Sequence, residues 1–79
     1  MDEKQLRKTV SSLLVEACGS KDVLADNIDL LESGLLDSFA LITLLDDLEE
    51  LGIVIQPTRV DRNAFRSLDG ILALCRSVL

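Results

Sequence analysis

The chain has 79 residues, 48% hydrophobic and only 3% aromatic, and its 8 Lys and Arg against 14 Asp and Glu leave a formal net charge of −6. With no His there is no imidazole base and no His-ligated zinc, and two Cys alone cannot complete a four-ligand zinc site. The acidic excess argues against binding nucleic acid or an anionic membrane surface.

A chain of this length is expected to form one domain over residues 1–79, with a core of Leu, Ile, Val and Ala. High Leu content and few aromatics favour an all-α bundle over a β-sandwich. The start, Met1-Asp2-Glu3-Lys4-Gln5, reads as no secretory signal, and no apolar run approaches the ~18 residues of a membrane span. The expectation is a cytoplasmic monomer, with Cys18 and Cys75 as reduced, buried thiols.

The first helix is expected over Glu3 to Ala17, where Leu6, Val10, Leu13, Leu14 and Ala17 form one stripe and Gly19 marks the stop. Gly19 to Asp37 follows as a long connection. Its Val23, Leu24, Ile28, Leu30, Leu31, Leu35 and Leu36 are expected to pack it onto the bundle as seven anchors.

The second helix is expected over Ser38 to Leu51, with Leu41, Leu44, Leu45, Leu48 and Leu51 inward and Thr43, Asp46, Asp47 and Glu50 outward. Asp37 or Ser38 supplies the N-cap oxygen, and Gly52 ends the helix. Phe39 falls on the polar side and Ile42 at its border. Phe39 is either an outward contact point or a side chain folded back onto the preceding loop.

Ile53-Val54-Ile55 reads as an extended apolar connection, since no partner strand is apparent and Pro57 follows. A short helix is expected near Arg62 to Arg66, capped by Asp61. The last helix is expected over Leu68 to Leu79, capped by Ser67, with Leu68, Ile71, Leu72, Cys75, Val78 and Leu79 buried. Gly70 should weaken its first turn.

Residues 22 to 58 contain no Lys or Arg and nine acids, so the middle of the chain presents an anionic surface to a basic partner or simply a solvated face. Asp37-Ser38 is at minimum a capping arrangement. A serine hydroxyl there is also exposed and close to unpaired backbone N–H groups, which suits a phosphodiester.

Gly34-Leu35-Leu36-Asp37-Ser38-Phe39 resembles the attachment motif of the phosphopantetheine-dependent acyl and peptidyl carrier protein family, and the similarity covers nearly the whole chain. It includes the loop Asp29-Leu30-Leu31-Glu32-Ser33-Gly34, the acidic second helix ending Leu48-Glu49-Glu50-Leu51-Gly52-Ile53, and the two helices after it. Phe39, Ile55-Gln56-Pro57 and Val60-Asp61-Arg62-Asn63-Ala64-Phe65 are most similar to the D-alanyl carrier branch of teichoic-acid D-alanylation. The chain departs from that branch in having Phe65 for Trp, Thr43 for Glu and Ala40 for Gly.

The resemblance implies a small four-helix bundle of three long helices and one short one. It implies that Ser38 carries covalent 4′-phosphopantetheine. The arm would hold an acyl or aminoacyl thioester, D-alanine or another amino acid, with a fatty-acid or polyketide-type cargo as the alternative. The implied partners are a phosphopantetheinyl transferase, an adenylating ligase and a downstream acyltransferase. They would dock on Asp37, Phe39, Ile42, Asp46, Asp47 and Glu50, with Arg62 and Arg66 adding selectivity. Asp37 would help the modifying enzyme hold a metal ion or a basic residue. In this reading the chain is no enzyme, has no catalytic residue and binds no metal of its own. The competing reading is a helical protein–protein adaptor in which Ser38 is only a cap.

Overall fold

A computed structural model describes residues 2–79. The chain is all-helical: α1 (Glu3–Cys18), α2 (Ser38–Glu50) and α3 (Leu68–Val78), with 3-10 turns at Lys21–Leu24, Pro57–Arg59 and Arg62–Arg66. Among the described residues there is no strand, and no helix is long and apolar enough to cross a membrane.

α1 begins where Asp2 accepts a hydrogen bond from the Gln5 N–H, 2.7 Å away. It ends at Gly19, whose left-handed backbone (φ 70°) sends its N–H to the Val15 carbonyl. Its stripe buries Leu6, Val10 and Leu14, while Leu13 and Ala17 are half-buried. α1 packs against both α2 and α3, and α3 rests on the Arg62–Arg66 turn.

The inward face of α2 is not quite the expected one. Ala40, Leu44 and Leu48 are buried at i, i+4 and i+8, and Leu41 and Leu45 flank them. The methyl of Ala40 is small enough to meet the core directly, which turns the face toward it. Leu51 is 48% exposed, because the helix stops at Glu50. The Gly52 N–H reaches the Glu49 carbonyl and the Ile53 N–H the Leu48 carbonyl, both at 2.9 Å. This pair is the Schellman termination, and it leads Ile53 into the core beside Leu48.

Ile53 and Ile55 are buried and Val54 points out, a strand-like alternation along an extended connection. In the long connection Val23, Leu30 and Leu36 are buried, Ile28, Leu31 and Leu35 half-buried, and Leu24 is exposed. Six of the seven expected anchors therefore hold the loop. Leu24 ends a 3-10 turn whose three-residue period sends Val23 inward instead.

The turn at Arg62–Arg66 starts under an Asp61 cap and buries Phe65. α3 buries Ile71, Leu72 and Cys75, but Val78 and Leu79 are 46% and 65% exposed. Its final turn runs past the core, so the expected stripe ends at Cys75. Cys75 and Cys18 are both free thiols. Cys75 is fully buried, whereas Cys18, at the last position of α1, is only partly covered.

Candidate functional site

The loop from Asp29 to Asp37 decides where α2 begins. Asp29 Oδ1 accepts from the N–H groups of Leu31 (3.1 Å) and Glu32 (2.9 Å), and the Ser33 N–H donates to the Asp29 carbonyl at 3.0 Å. The carbonyl of buried Leu30 accepts from the Leu36 N–H at 3.0 Å and from Ser33 Oγ at 3.3 Å. Gly34 has φ 79°, a left-handed conformation that a side chain would strain. The result is a knot of short turns between two buried leucines, Leu30 and Leu36, that delivers the chain to Asp37.

Asp37 is the N-cap. Its Oδ1 accepts from the Ala40 N–H at 2.8 Å, and its carbonyl accepts from the Leu41 N–H at 2.9 Å. Ser38 is therefore the first helical residue, released from capping. Its side chain is exposed, and its Oγ makes no hydrogen bond among the described residues. The Ser38 and Phe39 N–H groups at this helix end have no backbone or side-chain acceptor among the described residues either.

Phe39 is 79% exposed and Ile42 60% exposed. Of the two sequence expectations for Phe39, the outward one holds. The Thr43 hydroxyl turns back to the Phe39 carbonyl at 3.1 Å. It satisfies itself locally and leaves this first turn without charge.

Asp46, Glu49 and Glu50 continue the same outer stripe and are all exposed. Asp47 is half-buried on the flank, about 100° around the helix from Asp46. Glu49 and Val54 are outer-face residues that the sequence reading passed over. The spacing of Glu49, seven residues after Ile42 and three after Asp46, was the available signal. Val54, 52% exposed, lies with Ile42, Asp46 and Glu49 around one shallow hollow.

The four acids Asp46, Asp47, Glu49 and Glu50 sit in the last turns of α2, with no basic residue in its final turn. That is the negative end of the helix dipole, where acids are unfavourable. Among the described residues none of them has a cationic partner. The ion pairs are Arg7–Asp69, Arg66–Asp29 and Arg76–Glu3.

Arg66 is exposed, and its side chain is engaged within the chain. Its Nη1 donates to Asp29 Oδ2 at 2.8 Å, its Nε to Asn63 Oδ1 at 2.8 Å, and its carbonyl accepts from the Leu30 N–H at 2.8 Å. The hydrogen bond from the Glu32 N–H holds the Asp29 carboxyl below its ordinary value; desolvation opposes it, and the Arg66 hydrogen bond and charge and the Leu31 N–H add smaller contributions in the same direction as Glu32. Asp29 and Arg66 are 37 residues apart, and no periodicity in the sequence announces their pairing. Burial, and then the nearby Asp37 carboxylate, push the Cys18 thiol up, so it stays protonated at neutral pH. The chain matches no protein-family model and no curated protein.

Proposed function

We propose that the chain is a carrier protein that holds its cargo on a 4′-phosphopantetheine arm attached to Ser38. One observation carries the reading: the hydroxyl at the first position of α2 is exposed and unengaged, because Asp37 caps the helix. A serine needed only as a cap would be in the position Asp37 occupies.

In the attachment step Ser38 Oγ forms a bond to the phosphorus of coenzyme A that bears the pantetheine. The pyrophosphate P–O bond breaks, adenosine 3′,5′-bisphosphate leaves, and the hydroxyl proton passes to a base of the transferase. The Ser38 and Phe39 N–H groups and the positive end of the α2 dipole would favour a new phosphodiester charge on Ser38, an interaction of about 0.3–1 kcal/mol at an exposed site. Asp37 Oδ2 accepts no hydrogen bond among the described residues and is available to the transferase. When bound, the arm supplies a thiol that carries an acyl or aminoacyl group as a thioester. The protein itself presents that group at high effective concentration to successive enzymes.

Phe39 and Ile42 with Asp46, Glu49 and Glu50 support docking by a small surface that is apolar near Ser38 and anionic beyond it. Such a surface favours fast, charge-steered and transient encounters with basic partners. The partners in this reading are the transferase, an adenylating ligase and a downstream acyltransferase, and the chain itself works in the cytoplasm. D-Alanine or another amino acid is the favoured cargo, on the resemblance of the segment from Asp37 to Phe39 and of the segment around Pro57. The three α-helices and the Arg62–Arg66 turn correspond to the four helices of the carrier bundle.

Intact-mass measurement tests the reading. Incubation with coenzyme A and a broad-specificity transferase should add one phosphopantetheinyl group to the wild type and none to Ser38→Ala. An unmodified wild type, or an equally modified variant, refutes it. A modified protein loaded equally by amino-acid and fatty-acid ligases would remove the amino-acid preference.

A further inference from the structure

We propose that Arg66 is a positioning residue for the modification of Ser38, acting through Asp29 and Leu30 on the loop that leads into α2. The inference rests on the carrier reading above.

Each link is a contact in the fold. Asn63 Oδ1 orients the guanidinium through Nε, and Nη1 grips Asp29 Oδ2, both at 2.8 Å. Asp29, held in this way, gathers the Leu31 and Glu32 N–H groups on its other oxygen. The Arg66 carbonyl takes the N–H of Leu30, and the Leu30 carbonyl takes the N–H of Leu36. Leu36 is 3% exposed and directly precedes the Asp37 cap, and Ser38 follows. A short, continuous chain of hydrogen bonds thus runs from one arginine to the start of the helix that bears the reactive hydroxyl.

The chain of contacts has two kinds of link, and they fail differently. The Leu30 and Leu36 links are main-chain bonds beneath buried side chains, so they still form without the arginine side chain but open more often once the Asp29 turn that they span is no longer held. The Asp29 link is a side-chain pair at the surface, with the two side chains 35% and 44% exposed. An ion pair at that exposure adds little to global stability. What it does is hold the orientation of one turn, and with it the register of the following residues up to Ser38. A nucleophile displaced by a fraction of an ångström loses reactivity without any loss of fold.

Arg66 also has a chemical reason to be arginine. It donates from two nitrogens set apart along one planar fork, Nε and Nη1, whereas all three donors of a lysine sit on one terminal nitrogen. A lysine at this position can still reach Asp29 but gives up Asn63.

The test uses the full chain as wild type, Arg66→Met, Arg66→Lys, Asp29→Asn, and the double variant Arg66→Met with Asp29→Asn. The readouts are amide hydrogen exchange at Leu36 and the kcat/KM for transfer from coenzyme A to Ser38. Arg66→Met is expected to speed exchange at Leu36 while Leu44 and Leu48 stay protected. It should lower kcat/KM between about 2-fold and about 30-fold. Asp29→Asn should act in the same direction, the double variant should be no worse than Arg66→Met alone, and Arg66→Lys should recover most of the loss. Loss of transfer in Arg66→Met with Asp29→Asn and Leu36 exchange unchanged would mean that Arg66 touches the transferase directly, which overturns the proposal. A wild type that is modified while Arg66→Met is modified equally fast overturns this proposal alone. A wild type that takes no group overturns the carrier reading, and this proposal with it.

Discussion

Gly70 lies directly against the backbone of Ala64. A Cβ on Gly70 would overlap the Ala64 carbonyl oxygen and stand 3.0 Å from its carbon. The glycine sits in the first turn of α3, just after Ser67 caps it by accepting the Gly70 N–H at 3.1 Å. Its missing side chain is what lets α3 settle on the Arg62–Arg66 turn, with Phe65 buried beneath.

This contact reverses the sign of a substitution. Helix propensity alone says that Gly70→Ala stabilises α3 by up to about 1 kcal/mol. The overlap falls on main-chain atoms, which cannot swing aside, so Gly70→Ala should instead destabilise by about 1–3 kcal/mol. Thermal unfolding of the single variant decides between the two. A rise in Tm would show that the turn yields without cost.

Asp37 and Ser38 should separate cleanly in stability and function. Asp37→Ala removes the cap on α2 and should cost about 0.5–2 kcal/mol. Ser38→Ala removes no hydrogen bond within the fold and should leave the unfolding midpoint essentially unchanged, while abolishing any modification. Denaturant unfolding of both variants checks the pair. Equal destabilisation would mean that the serine shares the capping role.

Acid should erase the contribution of Asp29. Its carboxyl titrates below the ordinary value of 3.8 in the folded protein, so the unfolded chain binds the extra proton first as pH falls. The stabilisation is complete above that ordinary value and disappears as pH drops through the folded one. Asp29→Asn should therefore lower Tm at neutral pH, and the gap to wild type should close in strong acid. Added salt should also narrow the gap at neutral pH, because the pair with Arg66 is half-exposed. Melting curves across a pH series would show it.

The acids at the end of α2 should trade stability for recognition. Glu50→Lys places a cation at the negative end of the helix dipole and relieves crowding with Asp46, Asp47 and Glu49. It should stabilise the fold by about 0.3–1 kcal/mol. In the carrier reading the same change should slow loading by a basic partner, most strongly at low salt. A variant that is more stable and loads as fast as wild type would remove these acids from the docking surface.

Much was legible in the 79 letters because the helices here are set by local rules. Leucine spacing at 3.6 residues marked α1 and α2, Asp61 and Ser67 announced their own caps, the cap of α2 was narrowed to Asp37 or Ser38, and Gly19 and Gly52 announced the stops. The position of Ser38 at a helix start, and the acidity of that helix, came from the same local patterns. Tertiary structure decided what depends on contacts between distant segments. It turned α2 so that Ala40 meets the core, left Leu51, Val78 and Leu79 in solvent, sent Phe39 outward, and set Gly70 on Ala64. It also joined Arg66 to Asp29. A cap or a stripe is written within one or two turns of chain, whereas a pairing across 37 residues has no periodicity to betray it and exists only once the core has brought both ends together.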